Sequence, residues 1–301
     1  MEFRQLLYTI QIASERNFSR AAEKLHIAQP SLSQQLSKLE KELGVLLFKR
    51  STNSVELTYA GSVFVEKAQQ IVDMADQLRR EMEDIADMRK GRLVVGSLPM
   101  TGAHVLPYVL PVFREAYPDI EIVLIEESTR RLEQLTASGG TDVSLLTLPL
   151  VEPSLQYIPL MDEEISLAVP NDHELAGKAY ANEAIPLSRL RDEPFVLLKK
   201  GQGFRMIAHE LCKSAGFDPK VVFESGNIET VQSLVAAGMG IAFVPKMMTR
   251  GEWQGHTPTY LTLENHPART LVIAYRKGRY LSNAAEAFIA TFRQTLQNLN
   301  G

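Results

Sequence analysis

The feature that most constrains this chain is a seam of apolar side chains in its first third. Phe64, Ala68, Ile71, Ala75, Leu78, Met82 and Ile85 recur at alternating intervals of four and three residues. This is a heptad pattern sustained for three repeats. Thr58 is the predicted cap, no proline interrupts residues 59–90, and Gly61 is the one glycine before Ile85. Charged residues, among them Glu66, Lys67, Asp76, Arg79 and Glu83, fill much of the other faces. A helix of about 30 residues is ~45 Å long, and alone it cannot bury such a seam. Either its own chain or a partner helix from a second subunit must cover it. At 301 residues, a soft prior of one domain per ~150 residues suggests two globular units.

Composition removes whole classes. With 45% hydrophobic and 23% charged residues, the chain is neither disordered, collagen-like nor of low complexity. A single cysteine, Cys212, excludes a disulfide scaffold and a cysteine-cluster metal site, and fits a reducing compartment. Thiol–disulfide sensing within one chain needs two cysteines, so that route is closed, and Cys212 reads as a packing residue. Residues 1–20 hold Glu2, Arg4, Glu15, Arg16 and Arg20 and no apolar core, so no signal peptide is expected and a cytoplasmic location is. The longest uncharged stretch, Leu93–Phe113, contains Gly96, Pro99, Pro107 and Pro111 and reads as strand, turn and soluble helix. The histidines lack metal-ligand spacing, Gly238-Met239-Gly240 lacks a dinucleotide fingerprint's third glycine, and no nucleophile elbow is present. No catalytic residue, metal or resident cofactor is expected. Trp253, between Gly251 and Gly255, reads as a surface-loop residue.

Net charge is −4, which by itself argues against a nucleic-acid binder. The average hides an asymmetry: residues 1–62 hold eight Lys and Arg against six Asp and Glu, a net of +2, leaving −6 on the rest. A net of +2 is no basic footprint, so motifs must decide. Phe3, Leu6, Leu7, Ile10 and Ala13 predict a helix over residues 2–15. Ser19 is the expected cap of a second helix ending near Leu25, with Glu23 near the reciprocal position. After the turn His26-Ile27-Ala28, a third helix opens at Gln29-Pro30, where proline is tolerated in the first turn. Leu32, Leu36, Leu39 and Leu43 form its apolar stripe and Gly44 ends it. Leu47–Arg50 and Val55–Thr58 read as two short strands. This is the layout of a winged helix-turn-helix, whose second helix offers its first side chains to base edges in the major groove. Those are Gln29, Ser31, Ser33, Gln34 and Lys38, while N–H groups near Ser19 and Arg20 suit a phosphate. A plain three-helix bundle with Ser and Gln facing water fits the spacing equally well.

The residues carry a further signal. Phe18, Ala21-Ala22, Leu25, Ala28-Gln29-Pro30-Ser31-Leu32-Ser33, Leu39-Glu40, Leu43-Gly44, Leu47-Phe48-Lys49-Arg50, Leu57-Thr58 and Ala60-Gly61 stand in order without a gap. Together they resemble the DNA-binding signature of LysR-type transcriptional regulators. The resemblance implies that Gln29, Pro30, Ser33 and Gln34 enter the groove and that Arg50 anchors the wing on the DNA backbone. Asn53 departs from the basic residue many relatives carry in the wing, so no strong contact is expected there. The resemblance also implies a homodimer through paired linker helices, assembly to a homotetramer, inverted operator half-sites and contact with RNA polymerase.

From Arg92 onward, expected strands and helices alternate. Strands are predicted at Leu93–Gly96, Ile120–Ile125, Val143–Leu146, Ser166–Val169, Phe195–Leu198, Val221–Phe223, Gly240–Val244 and Leu271–Tyr275. Helices are predicted at Val105–Tyr117, started by Pro107, and at Thr129–Ser138, Phe204–Ala215, Ile228–Ala237 and Asn283–Leu299. Alternation of this kind specifies α/β layers with a largely parallel sheet. Chain crossings near Leu160–Glu164 and Asn265–Arg269 would make two lobes. The expected organisation is a winged helix-turn-helix over 1–58, and a linker helix over 59–90 ending in a hinge at Met88-Arg89-Lys90-Gly91. An effector domain over 91–301 completes the chain, with lobe I at 91–161 and 268–301 and lobe II at 162–267. Its lobe order resembles the LysR-type effector domain, whose fold is similar to periplasmic binding proteins.

Ligands in such folds sit at the carboxyl ends of strands, and helix N-termini there favour anions. Ser97, Met100, Thr101, Ser128, Thr147, Gln202, Gly203 and Asn227 are the expected contacts for a small anionic effector, with Arg130 or Arg205 as charge partner. Ordinary strand-to-helix caps explain each of these residues as well. The leading expectation is a ligand-responsive DNA-binding regulator. The alternatives are a solute-binding receptor, which the missing signal peptide opposes, and an enzyme fused to a helix-turn-helix, which a turnover screen would separate.

Overall fold

Three helices open the chain in the computed structural model, which describes residues 1–50, 55–85, 91–177, 183–249 and 257–300. They are α1 (Phe3–Glu15), α2 (Phe18–Lys24) and α3 (Gln29–Leu43). The cap of α2 is Asn17 rather than Ser19: its Oδ1 accepts the Arg20 N–H at 3.0 Å. Asn17 holds the extended backbone a cap needs, which leaves Ser19 in the first turn and Glu23 without a reciprocal role. Pro30 lies in the first turn of α3 as expected, and Gly44 ends the helix in the left-handed region at φ +71°. Leu32, Leu36 and Leu39 are buried with Ile12, Ala21, Ala22 and Phe48, whereas Leu43 is exposed, so the stripe stops one turn early.

The hairpin β1 (Phe48–Arg50) and β2 (Val55–Leu57) pairs Phe48 with Leu57. Its start is tied to α3 by Glu40, whose buried Oε1 accepts the N–H groups of Leu47 (2.7 Å) and Phe48 (3.2 Å). Glu40→Ala would leave both donors without their acceptor. We expect a loss of about 1–3 kcal/mol in the urea unfolding transition of this unit, and an unchanged midpoint would contradict it.

Thr58 caps α4 (Tyr59–Ile85) by accepting the Gly61 N–H on its Oγ1 at 2.9 Å. A Cβ on Gly61 would lie 1.9 Å from the Leu47 carbonyl oxygen, so the helix passes the hairpin at a distance only glycine permits. The heptad seam divides. Phe64 packs on the helix-turn-helix core and Ala68 is buried, while Ile71, Leu78 and Met82 are 44%, 58% and 50% exposed. The wing tip with Asn53, the expected hinge residues Met88–Lys90 and the segment carrying Trp253 lie outside the described residues, as does the Arg50 side chain.

Residues 1–87 and 88–301 form separate compact units. The second begins with β3 (Gly91–Ser97), α5 (Pro99–Ala116), β4 (Ile120–Glu126), α6 (Thr129–Ser138) and β5 (Val143–Thr147). Gly91 opens β3. Pro99, not Pro107, starts α5. Pro107 and Pro111 sit inside the helix on its exposed face, where water can satisfy the carbonyls that lose their donors. Next come β6 (Leu155–Val169), β7 (Pro194–Leu198), α7 (Gly203–Ser214), β8 (Lys220–Ser225) and α8 (Ile228–Ala236). The chain continues through β9 (Ala242–Pro245), β10 (Thr259–Thr262), β11 (Ala268–Arg276) and α9 (Asn283–Asn300).

The sheet is mixed, which corrects the largely parallel expectation. Its order is β10-β6-β11-β5-β3-β4, with β9 also pairing β6. Among the described residues only β3 with β4, β3 with β5 and β7 with β8 pair as parallel strands. The reason lies in the two crossings. β6 carries the chain out of lobe I and β11 brings it back, so these long neighbours must run antiparallel. Residues 155–164 of β6 pair with β11 in lobe I, and residues 165–169 pair with β9 and β10 in lobe II. Each lobe has its own core: Phe113, Phe288 and Phe292 with Leu93 and Val95 in lobe I, and Phe195, Phe243 and Val231 in lobe II. Among the described residues no helix is long and apolar enough to cross a membrane.

Candidate DNA-reading face and effector cleft

The burial of Leu32, Leu36 and Leu39 fixes which side of α3 faces out. Gln29, Pro30, Ser31, Gln34 and Lys38 are exposed and Ser33 is half-buried, so the expected base-reading residues share the outer face. Lys38 lies 3.5 Å from Glu2 across two exposed side chains, a pair weak enough to exchange for a phosphate. Arg20 and Ser19 are exposed on α2. Asn17 occupies the Arg20 N–H, one of the amides that the spacing suggests for a phosphate.

The effector unit sorts its candidate residues into three groups. Some are occupied elsewhere. The buried Ser97 hydroxyl donates to the Leu98 carbonyl (3.1 Å), whereas Thr147 is simply buried at the end of β5. Asn227 is exposed and caps α8 by accepting the Glu229 N–H (2.7 Å). Arg205 binds the Leu198 carbonyl (2.7 Å) and the Glu224 carboxylate (2.6 Å), both in lobe II, which removes it as a charge partner. A second group stands at the cleft, with Gln202 and Gly203 on its wall and Ser128 next to the wall residue Thr129. Ser128 caps α6 with no side-chain bond and Gln202 caps α7 likewise, leaving both polar side chains available. The Gly203 N–H donates to Thr129 Oγ1 at 2.9 Å and so ties the start of α7 in lobe II to the start of α6 in lobe I. Beside this tie lies a cavity of about 520 Å³, bounded by Thr129, Arg130, Glu133 and Glu152 on one side and Gly201–Gly203 and Met206 on the other. Its size suits a small metabolite. Thr101 stands alone. It lies in the first turn of α5, fully buried, and its Oγ1 has no hydrogen-bond partner among the described residues.

Two features escaped the sequence reading. Glu163 on β6 and Arg269 on β11 are directly opposed in the sheet and almost wholly buried. Glu163 Oε2 lies 2.6 Å from both Nε and Nη2 of Arg269, though only Nε–H is well directed at it. Its Oε1 accepts the Met247 N–H at 3.0 Å. The guanidinium also reaches Met100 Sδ (3.8 Å) in lobe I and covers the Phe204 ring (5.4 Å) in lobe II. Burial pulls the Arg269 pKa down and the Glu163 charge opposes it. The pair therefore stands at the crossing and touches the first turns of α5 and α7. The second feature is Glu133. Thr129, Leu132, Glu133 and Thr136 form the buried stripe of α6 at i, i+3, i+4 and i+7, and a charge on such a stripe was the available signal. Cys212 is a buried core residue of α7, and burial raises its thiol to about 12. Among the described residues no three of His, Cys, Asp and Glu gather as a metal group.

Comparison with known proteins agrees with this geometry. Residues 3–62 match the family described as bacterial regulatory helix-turn-helix protein, lysR family, and residues 86–297 match the LysR substrate binding domain. The chain is 40% identical to the HTH-type transcriptional regulator YcgK of Bacillus subtilis, covering 99% of this chain and 95% of that protein. It is 32% identical to the hydrogen peroxide-inducible genes activator of Pectobacterium carotovorum, covering 99% and 97%. The structure of a full-length OxyR variant from Pseudomonas aeruginosa is similar at a TM-score of 0.74 and 29% identity, covering 99% and 95%. The chain belongs to the LysR family of transcriptional regulators, with a helix-turn-helix DNA-binding domain followed by an effector-binding domain.

Proposed function

We propose that this regulator reads an operator through Gln29, Ser31, Ser33, Gln34 and Lys38 of α3, with Pro30 shaping the helix start and Arg50 on the wing. A small metabolite bound between the lobes tunes that reading. The exposed seam of Ile71, Leu78 and Met82 pairs with its copy and presents two reading helices to inverted half-sites. The protein acts in the cytoplasm, catalyses no reaction and holds no resident cofactor. Several relatives are named for induction by hydrogen peroxide. One buried cysteine cannot form a disulfide within the chain, so a bound metabolite is the better reading here.

The observation that carries the sensing role is Thr101. A fully buried hydroxyl without a partner costs about 1–3 kcal/mol, a penalty that a ligand accepting its hydrogen bond would relieve. Thr101→Val keeps the shape and removes the hydroxyl. We expect it to stabilise the free protein by about 1 kcal/mol and to abolish the effect of a small-molecule cell extract on operator binding, read by fluorescence anisotropy. A full response in this variant would exclude Thr101 from the site. Absence of any response in the wild-type protein would refute metabolite sensing.

A further inference from the structure

The inter-lobe cavity contains a charge that the protein itself leaves unbalanced. Glu133 is 5% exposed. One of its oxygens, Oε2, accepts the N–H groups of Val151 (3.1 Å) and Glu152 (2.7 Å), which holds the 151–152 segment against α6. That bond pair accounts for its structural role. The other oxygen, Oε1, receives no hydrogen bond among the described residues, and Glu133 has no ion-pair partner there, although Arg130 lines the same cavity one turn away. Glu152, also on the cavity wall, adds negative charge nearby. Desolvation raises the Glu133 carboxyl pKa and the two backbone donors counter that rise. A buried carboxylate without a cation is half of an ion pair, and its desolvation is compensated when the other half arrives.

We propose that Glu133 is the receptor for a cationic nitrogen of the effector, so the ligand is a small zwitterion carrying an ammonium group as well as an anionic one. The inference rests on the effector-cleft reading and sharpens its ligand class from anion to amino-acid-like molecule. The anionic end has its own partners on the same cavity wall. Arg130 supplies a guanidinium, and the start of the twelve-residue α7 at Gly201–Gly203 supplies the positive end of a helix dipole. Gly201 has no neighbour within 4 Å of where a Cβ would stand, so the backbone there is open to approach. The distance between the two ends is set by the cavity, not by a bond within the protein, which is why a free cation or a free anion alone satisfies only half of it.

Three five-carbon probes of matched length separate the possibilities: 5-aminopentanoate, glutarate and pentane-1,5-diamine. The full-length protein is heated with each at about 10 mM, and bound ligand reads out as a raised Tm. The zwitterion is expected to raise Tm by about 2–4 °C and glutarate to give no shift. Glu133→Gln keeps an oxygen for Val151 and Glu152 and removes the uncompensated charge, so its ligand-free Tm should not fall below the wild type's while the zwitterion shift disappears. Met206→Trp, which fills the mouth from an exposed position, should remove the shift as well and leave the ligand-free Tm alone. An equal zwitterion shift in Glu133→Gln would overturn the proposal, as would silence of both amine-bearing probes on the wild type. A shift by glutarate alone would also overturn it, yet would leave the effector-cleft reading standing.

Discussion

Glu163→Ala is expected to destabilise the effector unit by about 3–5 kcal/mol, because it leaves the Arg269 guanidinium buried without its counter-charge. Arg269 and Glu163 are 3% and 4% exposed, so water cannot take the place of the lost carboxylate without opening the crossing strands. Against a total stability of about 5–15 kcal/mol, this is a large share. The double replacement Glu163→Leu with Arg269→Met should cost far less, since it removes both charges and keeps apolar contact with Phe204 and Met100. Urea unfolding of the two variants separates charge from packing. Equal losses in both would show that the pair acts through shape alone, and a loss below about 1 kcal/mol in Glu163→Ala would show that the crossing does not depend on it.

The double variant Gln29→Ala, Gln34→Ala is expected to lose about 2–6 kcal/mol of operator affinity, since each amide in register with a base edge is worth about 1–3 kcal/mol. Both side chains are exposed on α3 and neither enters its core, so the fold should be unaffected. Binding to unrelated duplex should hold, because phosphate contacts carry no sequence information. The comparison uses an operator fragment selected from the genome by the wild-type protein. Parallel losses on operator and unrelated DNA would mean that α3 does not read bases.

Much of the fold was legible in the residues, and the failures have identifiable causes. The recognition helix was readable because Leu32, Leu36 and Leu39 impose one buried stripe and therefore one outer face. The α6 boundaries Thr129–Ser138 came from a hydroxyl at the start and Gly139 at the end. The start of α5 was misplaced because Pro99, Pro107 and Pro111 each satisfy a helix-start rule locally and all three are exposed, so burial does not separate them. Asn17 and Ser19 compete in the same way at α2. Sheet direction depends on which strands cross between lobes, a long-range fact that periodicity does not encode. β6 was read only in its lobe II half because Leu155–Glu164 lacks an apolar–polar alternation and carries Pro159 in the run. At the site, hydroxyls after strands drew the sequence expectation to loops beside the cavity, and some of those side chains bond within their own loop. Ser97 and Asn227 bond to backbone one and two residues away, whereas Thr129, Glu133 and the Glu163–Arg269 pair bond across the unit. Their hydrogen-bond partners lie at least 18 residues away in the chain.

In the proposed function, α3 reads duplex DNA and α4 presents it twice. Footprinting the intact protein on fragments it retains from its own genome, at physiological salt, tests this most directly. Protection of two inverted half-sites, separated by one helical turn of DNA or a multiple of it, is the expected result. Protection of a single site, or no promoter fragment retained above random duplex, would contradict it.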